Sequence, residues 1–438
     1  MLVTPPSPPY NRPMLQRPAG IRIHLLLLLT LTAVATPLVP AQVPRVEGTL
    51  RSIEADGRFT AAQVDRFASQ LFAGYGGPGS RYAVDVYLAQ VYTRYPNGRL
   101  TPVRVQIFVP RVGSTPEGTY LFMPGSTGLI GVCRASREHI AGIRWGLYRA
   151  HVMAMAAQGF LGILPDYMGF EDSRLVQPYF HAASEARVVF DALRAVNRWV
   201  SEAYPEQYPR GILPLRRVAA GFSQGGHAAF AAADRNLDMG GALYLHGVIG
   251  YGPTTEIEPM LEMYPSLGPM VAMSFLSVYG RRSFNPELLF QEPWAGDLEY
   301  DTTRQCVGGI QGFYPSDPSR LYRPDFLRSM RDRTLERTHP VIARIFDANR
   351  TGLAPHRVPA LILQGTDDIV VARKTQERVV SEMRAVGNPV DLRVYEGYRH
   401  DTRQIGFRDA IDWMRSLDPR DRPPQRGGPE RFDPELDQ

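Results

Sequence analysis

From residue 119 onward, short apolar runs alternate along the chain with longer stretches of helical periodicity. The runs have the length of strands buried on both faces of a sheet, and the stretches between them place apolar side chains three and four residues apart. Strands that alternate with helices in this way form a mostly parallel sheet flanked by helices. The sequence therefore predicts an α/β fold, with strands at residues 119–125, 159–167, 216–223, 243–252, 359–368 and 390–397.

The chain before residue 119 carries a different pattern. Residues 82–110 contain two runs of alternating apolar and polar side chains, and Asn97-Gly98 separates them. This dipeptide between alternating runs is typical of a β-hairpin. We expect the hairpin to form an antiparallel edge of the sheet. The predicted helices lie at residues 60–74, 146–158, 181–204, 224–234, 372–387 and 404–416.

More than a hundred residues between the fourth and fifth predicted strands interrupt the alternation. They contain many prolines and several helical patches. A structureless loop of this length is uncommon inside a compact domain, so we interpret residues 253–354 as an inserted helical cap. The insertion divides a single core into a first part at residues 42–252 and a second part at residues 355–418. Residues 419–438 are polar, and we expect them to be disordered.

The first 41 residues have the organisation of a secretory signal peptide. A proline-rich start and several arginines precede the apolar residues 23–35, and small residues follow. The apolar stretch is shorter than the roughly 20 residues of a membrane span. Cleavage could follow Ala35 or Ala41, and the mature chain is then secreted, periplasmic or extracellular. An uncleaved membrane anchor is the alternative. A lipid anchor is disfavoured because no cysteine lies directly after the apolar stretch.

The chain has two cysteines, Cys133 and Cys306. In an exported protein they are expected to form a disulfide bond, and two buried free thiols are the alternative. Their spacing matches neither a zinc site nor a redox motif, and we expect no metal and no cofactor. The formal net charge of +5 comes from scattered arginines without a basic block, so we expect no nucleic-acid partner.

Residues 221–225 read GFSQG, between the third predicted strand and a predicted helix. A G-x-S-x-G turn in this position strains the backbone at Ser223 and exposes its hydroxyl, and only glycines leave room on either side. An ordinary turn is the other interpretation of the pentapeptide alone. Because the pentapeptide directly follows a predicted strand of the parallel sheet, the interpretation of Ser223 as a nucleophile is favoured.

A serine nucleophile needs a base and an acid that orients the base. His400 lies in a loop directly after the last predicted strand, at the end where such sheets place their chemistry. Asp368 follows the preceding strand three residues after Gly365, and Asp367 is the alternative acid. One of the two aspartates could instead cap the next helix. His227, close to the serine in sequence, is assigned to packing.

Hydrolysis through a serine also needs two N–H groups that stabilise the oxyanion. The backbone N–H of Gln224, directly after the serine, is the first candidate. The second comes from the loop PGSTG at residues 124–128, after the first parallel strand, where Gly125 and Ser126 are the candidates. An ordinary surface turn is the alternative for this loop.

Five stretches of the chain resemble the α/β-hydrolase superfamily and, within it, the secretory lipase family of extracellular lipases. They are FMPGSTGLIGVCRAS, GFLGILPDYMGFEDSRLVQPYFHAASEARVVFDALRA, RRVAAGFSQGGHAAF, PALILQGTDDIVV and GYRH. The resemblance covers roughly residues 82–253 and 355–416. It implies an α/β-hydrolase fold with a large helical cap between nucleophile and acid. By motif, it carries the roles of a catalytic triad onto Ser223, Asp368 and His400.

The chain also departs from the family pattern. Pro124-Gly125-Ser126 stands where bacterial members often have His-Gly-Thr, although the backbone donor survives the change. Asp166 and Tyr167 match a family stretch, and we interpret them as structural.

The sequence as a whole predicts a secreted serine hydrolase, a lipase or esterase that cleaves carboxylic esters through an acyl-enzyme on Ser223. Its expected partner is a small-molecule or lipid ester, and no membrane span is expected in the mature chain. A serine peptidase on the same fold is an alternative with an identical triad. A non-catalytic binding protein is a further alternative, and it would predict a broken triad. The oligomeric state and the acyl chain length stay open.

Overall fold

The structure is a computed structural model that describes residues 45–209, 211–214 and 216–420. These residues all fall in one compact unit. The predicted signal peptide and most of the predicted disordered tail lie outside the described residues. Within the described ranges, no helix combines the length and the apolar character needed to cross a membrane.

The described strands form one nine-stranded sheet. Its strands are β1 (Leu50–Phe59), β2 (Val84–Arg94), β3 (Leu100–Pro110), β4 (Gly118–Met123), β5 (Phe160–Pro165), β6 (Arg217–Phe222), β7 (Gly247–Tyr251), β8 (Ala360–Gly365) and β9 (Val390–Tyr395). Their order across the sheet is β1-β2-β3-β5-β4-β6-β7-β8-β9.

The pairing of the strands confirms a mostly parallel sheet with an antiparallel edge. Strands β4 to β9 pair in parallel, whereas β1, β2 and β3 are antiparallel to their neighbours. The predicted hairpin corresponds to β2 and β3. Strand β1 was not predicted from the sequence; it lies outside the hairpin and has charged side chains and two register shifts. Most of its residues are exposed, so it lacks the apolar alternation by which the other strands were predicted.

Helices and 3-10 turns occupy most of the connections. The α-helices are α1 (Ala61–Ala68), α2 (Glu138–Ala141), α3 (Tyr148–Ala156), α4 (Ala182–Ala203), α5 (Gln224–Asp234), α6 (Asn236–Met239), α7 (Ile257–Met263), α8 (Gly268–Tyr279), α9 (Leu298–Thr302), α10 (Val307–Phe313), α11 (Pro318–Leu321), α12 (Pro324–Arg331), α13 (Leu335–Thr338), α14 (Pro340–Ala348), α15 (Arg373–Ala385) and α16 (Phe407–Ser416).

Two hydrophobic clusters enclose the sheet, one on each face. Helices α4, α5 and α15 pack on one face, and α1, α3 and α16 pack on the other. Strand β4 shows why both faces are filled: Leu121 and Met123 point into the first cluster, while Tyr120 and Phe122 point into the second. Because successive side chains of a strand point to opposite faces, a strand buried on both faces is apolar throughout.

A third hydrophobic cluster lies in the segment that the sequence analysis interpreted as a cap. Residues 253–354 contain helices α7 to α14 and 3-10 turns. The cluster also includes Leu129, Tyr179 and Phe180, which follow β4 and β5. The insertion therefore packs on loops at the carboxyl end of the parallel strands. The predicted bounds of the domains stay a prediction.

A disulfide bond joins Cys133 to Cys306, as the sequence analysis predicted, and the alternative of two free thiols is wrong. It connects the loop after β4 to the residue that precedes α10. Beside it, the N–H of Val307 donates to the carbonyl oxygen of Thr127 at 2.9 Å. The loop with two of the candidate oxyanion residues is thus tied to the insertion.

Removal of this disulfide should destabilise the fold. It links cysteines 173 residues apart, so its loss frees a long loop in the unfolded chain. We expect the Cys133→Ala/Cys306→Ala variant to lose about 2–4 kcal/mol of unfolding free energy, measured by urea denaturation. The wild type should show the same loss in dithiothreitol, and the variant should not respond to it. A wild-type midpoint that stays constant after both thiols become titratable would contradict this expectation.

Candidate active site

The turn that carries Ser223 is a strained connection between β6 and α5. Ser223 has φ 54° and ψ −116°, a conformation that residues with a side chain rarely adopt. A Cβ atom at Gly221 would lie 1.9 Å from the carbonyl oxygen of Gly225. A Cβ atom at Gly225 would lie 1.9 Å from the carbonyl oxygen of Met123 in β4. Both glycines are therefore required by close backbone contacts, and the backbone strain that the motif predicted is present. The predicted exposure of the hydroxyl is wrong in this structure, because Ser223 is only 8% exposed.

Asp368 and His400 meet at the carboxyl ends of β8 and β9. Nδ1 of His400 lies 2.8 Å from Oδ2 of Asp368. The other carboxylate oxygen accepts the N–H groups of Val370 and Val371 at 2.8 and 2.9 Å. Asp368 is 5% exposed, whereas Asp367 is exposed and accepts a hydrogen bond from its neighbouring threonine. The structure thus places the histidine against Asp368 and not against Asp367.

The second ring nitrogen of His400 is available as a base. Since an ionised carboxylate can only accept, we assign the hydrogen to Nδ1 and the lone pair to Nε2. Among the described residues, Nε2 is buried and has no hydrogen-bond partner. The ring centroid lies 5.0 Å from that of Phe222, the residue before Ser223. A Cβ atom at Gly252 would lie 3.0 Å from Nδ1 of His400, and the carbonyl oxygen of the preceding Tyr251 accepts the N–H of Ser223 at 3.1 Å.

Arg403 is a site residue that the sequence analysis missed. Its guanidinium is fully buried and donates from Nε and Nη2 to the carboxylate of Asp401, the residue after His400, at 2.9 and 2.5 Å. It also lies 4.8 Å from the ring centroid of Phe222 and 5.0 Å from that of Tyr148. Although burial opposes the charge, Asp401 raises the pKa of Arg403. The ion pair is internal to the loop that carries His400, and the contact of its guanidinium with Phe222 packs that loop against the residue before Ser223.

The backbone N–H groups proposed for the oxyanion have different surroundings. Gln224 is the first residue of α5, and in the described chain its N–H has no acceptor. The N–H of Ser126 also has no acceptor among the described residues. The N–H of Gly125 instead faces the hydroxyl oxygen of Tyr148. Gln224 and Ser126 are therefore the two candidates with a free donor.

Two buried tyrosines hold the loop after β4. The hydroxyl of Tyr167 donates to the carbonyl oxygen of Pro124 at 2.6 Å. The hydroxyl of Tyr179 lies 2.6 Å from Oγ of Ser126, and either can be the donor. The geometry of Tyr167 agrees with the structural role that the sequence analysis gave it. Tyr179 was missed, because a buried aromatic side chain gives no sequence signal for such a contact.

His227 lies on the same helix as Gln224 and is fully buried. Its Nδ1 is 2.5 Å from Oε2 of Glu185, and its Nε2 is 2.6 Å from the carbonyl oxygen of Asn349. The assignment to packing was correct about its burial and missed these hydrogen bonds. Within the described ranges, no group of three or more histidine, cysteine or acidic side chains could hold a metal ion.

Comparisons with known proteins identify the fold. No family model and no curated protein matches the sequence. The rice cell wall degrading esterase LipA from Xanthomonas oryzae superposes with a TM-score of 0.68 at 18% identity, over 84% of this chain and 100% of that chain. Candida antarctica lipase A in its closed state superposes with a TM-score of 0.59 at 15% identity, over 84% and 82%. The chain has the α/β-hydrolase fold.

In the α/β-hydrolase fold, the turn after a central parallel strand holds a nucleophile, and the acid and the histidine follow later in the chain. The elbow at Ser223 and the pair formed by Asp368 and His400 follow that order in this chain. The fold predicted from sequence is thus confirmed.

The pH dependence of folding stability tests the environment of Asp166, which was interpreted from the sequence as structural. Its carboxylate accepts the N–H and the hydroxyl of Ser136 at 2.9 and 2.5 Å. Burial nevertheless raises its pKa from 3.8 to about 6, with the bonds from Ser136 opposing the shift. Because the folded pKa is raised, the stabilisation is fully present below about pH 4 and is lost as the pH rises through 6.

The variant Asp166→Asn cannot titrate at this position and resembles the protonated acid. We expect the unfolding free energy of the wild type, relative to this variant, to fall by up to about 3 kcal/mol between pH 4 and pH 7. The difference should then stay constant up to pH 8. Urea denaturation of both proteins across this range measures it, and a difference that rises with pH would contradict the assigned direction.

Proposed function

We propose that this protein is an exported serine hydrolase that cleaves carboxylic esters through an acyl-enzyme on Ser223. The observation that carries the proposal is the contact between Asp368 and His400 beside the strained turn of the serine. This arrangement supplies a nucleophile, a base with a free lone pair and an acid that orients the base. The lipase and the esterase with similar structures support an ester as the substrate.

In the proposed first half-reaction, Oγ of Ser223 attacks the ester carbonyl carbon while Nε2 of His400 takes the hydroxyl proton. The carbonyl oxygen becomes an oxyanion and receives the N–H groups of Gln224 and Ser126. The imidazolium then gives its proton to the alkoxide oxygen, and the alcohol leaves. Asp368 stays ionised and stabilises the imidazolium.

In the second half-reaction, a water molecule attacks the acyl-enzyme and gives its proton to Nε2 of His400. Collapse of the second tetrahedral intermediate releases the carboxylic acid and returns the proton to Ser223. The proposed steps need no cofactor.

The insertion at residues 253–354 supports an acyl group with a hydrophobic chain. Helix α8 presents methionine and phenylalanine side chains to the cluster that contains Tyr179 and Phe180. These side chains are packed in the interior of the insertion, and its apolar character suits an ester with a hydrophobic acyl chain better than a charged peptide. Export is supported by the signal-like segment at residues 1–41 and by the disulfide, which persists in oxidising compartments.

Ester turnover by active-site variants tests this function. We expect the wild type to hydrolyse p-nitrophenyl esters, and Ser223→Ala to lower kcat by at least about 10³-fold. Asp368→Asn should lower kcat by about 10⁴-fold, because the histidine then takes the wrong tautomer. Asp367→Asn is the matched control and should retain activity within about threefold. A series of acyl lengths from acetate to palmitate would define the substrate range.

Covalent labelling separates the proposal from its alternatives. A fluorophosphonate probe should label the wild type and not Ser223→Ala. A protein that the probe never labels is a binding protein on this fold. A protein that is labelled but cleaves aminoacyl or prolyl amides faster than esters is a peptidase.

A further inference from the structure

A buried carboxylate lies behind the serine turn, at the first turn of α4. Glu185 is 1% exposed; its Oε1 accepts hydrogen bonds from Phe180 and from Gln224, and its Oε2 lies against His227, which is in the same helix as Gln224. We propose that Glu185 is a positioning residue that holds both oxyanion donors in place. This inference rests on the function proposed above.

The first contact of Glu185 fixes the donor that follows the nucleophile. Nε2 of Gln224 donates to Oε1 of Glu185 at 2.9 Å. The Gln224 side chain is fully buried, so this bond holds the first residue of α5 from inside the fold. The backbone N–H of the same residue is the proposed first oxyanion donor, and an error of about 1 Å in its position would be costly for catalysis.

The second contact of Glu185 is with the strained backbone at Phe180, next to the residue that holds Ser126, the other proposed oxyanion donor. The N–H of Phe180 donates to Oε1 of Glu185 at 3.3 Å. Phe180 has φ 57°, a left-handed conformation that is unfavourable for a bulky residue. The carboxylate helps to hold it there. The preceding residue, Tyr179, holds the side chain of Ser126, so the bond orients the loop of the second oxyanion donor.

The third contact links Glu185 to the insertion. Nδ1 of His227 faces Oε2 of Glu185, and Nε2 donates to the carbonyl oxygen of Asn349. Asn349 follows α14 and donates from Nδ2 to the hydroxyl of Tyr279 in α8. Because a carbonyl can only accept, Nε2 of His227 carries a hydrogen in this contact.

Phe180 and Gln224 both donate to Oε1, and His227 faces Oε2, so the position needs a planar side chain with an acceptor oxygen and a second polar atom. Glu185 also lies in the first turn of a helix, where the backbone N–H groups favour a negative charge. The site is thus arranged to keep a carboxylate at this position.

Two substitutions separate positioning from simple stability. Glu185→Leu removes all three contacts, and we expect kcat to fall about 100-fold while KM changes less than about threefold. Glu185→Gln keeps an acceptor oxygen for Phe180 and Gln224, and its amide can donate to neutral His227. This conservative variant should restore kcat to within about threefold of the wild type. A p-nitrophenyl ester is the substrate, and the number of serines labelled by fluorophosphonate at completion normalises each rate.

A matched control lies at the other end of α5. Asp234 accepts the N–H groups of Gly352 and Ala354 at 2.7 and 3.0 Å and does not contact the serine turn. Asp234→Leu should lower the melting temperature and leave kcat per labelled serine unchanged. Glu185→Leu with the kcat of the wild type would overturn the proposal. Glu185→Gln with the same loss as Glu185→Leu would also overturn it.

If Glu185→Leu does not fold, Gln224→Met takes its place. Methionine keeps the backbone N–H and the side-chain length but removes the bond to Glu185, and kcat should fall about tenfold at constant KM. An unchanged kcat in this variant would overturn the proposal. Ser223→Ala, assayed in parallel, shows whether a failure concerns the proposed ester hydrolysis or only the positioning role of Glu185. If it remains as active as the wild type, the proposed function fails, whereas a loss restricted to Ser223→Ala refutes the role of Glu185 alone.

Discussion

The close approach of two backbone segments at the serine turn governs the geometry of the whole site. Gly225, in the first turn of α5, lies against the end of β4 so closely that a Cβ atom would reach the carbonyl oxygen of Met123. This contact sets the direction of α5 relative to the sheet. It also brings the turn of Ser223 next to the loop after β4, which carries the second candidate oxyanion donor. Neighbouring parallel strands thus carry the proposed nucleophile and the proposed second donor to the oxyanion.

Around that contact, buried polar side chains hold the loops that the sheet alone does not order. Arg403 fixes the loop of His400, and Tyr167 and Tyr179 fix the loop after β4. Glu185 joins the helix behind the serine to that loop. Each of these groups makes hydrogen bonds inside the protein, where an unmet polar group would be costly, although Nη1 of Arg403 has no partner among the described residues. Such networks give the loops one conformation, which a site that depends on two precisely placed N–H groups requires.

The parts of the site that the sequence predicts are those with a local signature. Strand β6, the glycines around Ser223 and the loops after β8 and β9 follow from patterns a few residues long. Glu185 has no such pattern, because a glutamate in an amphipathic helix normally faces solvent, and it meets Gln224 across 39 residues of chain. Strand β1 was missed because its side chains are mostly exposed and charged. Long-range polar contacts and exposed edge strands therefore need the three-dimensional structure.

The disulfide divides the chain into a closed ring and two open arms, one before Cys133 and one after Cys306. The ring between Cys133 and Cys306 contains the serine turn, whereas Asp368 and His400 belong to the arm that follows. A protease that cuts the exposed turn at residues 280–283 opens the ring but leaves one covalent molecule. A cut beyond the ring, at residues 315–317, leaves the arm attached only by β8, its neighbours in the sheet and the packed helices. The covalent integrity of the proposed triad thus depends on which side of Cys306 the backbone is broken.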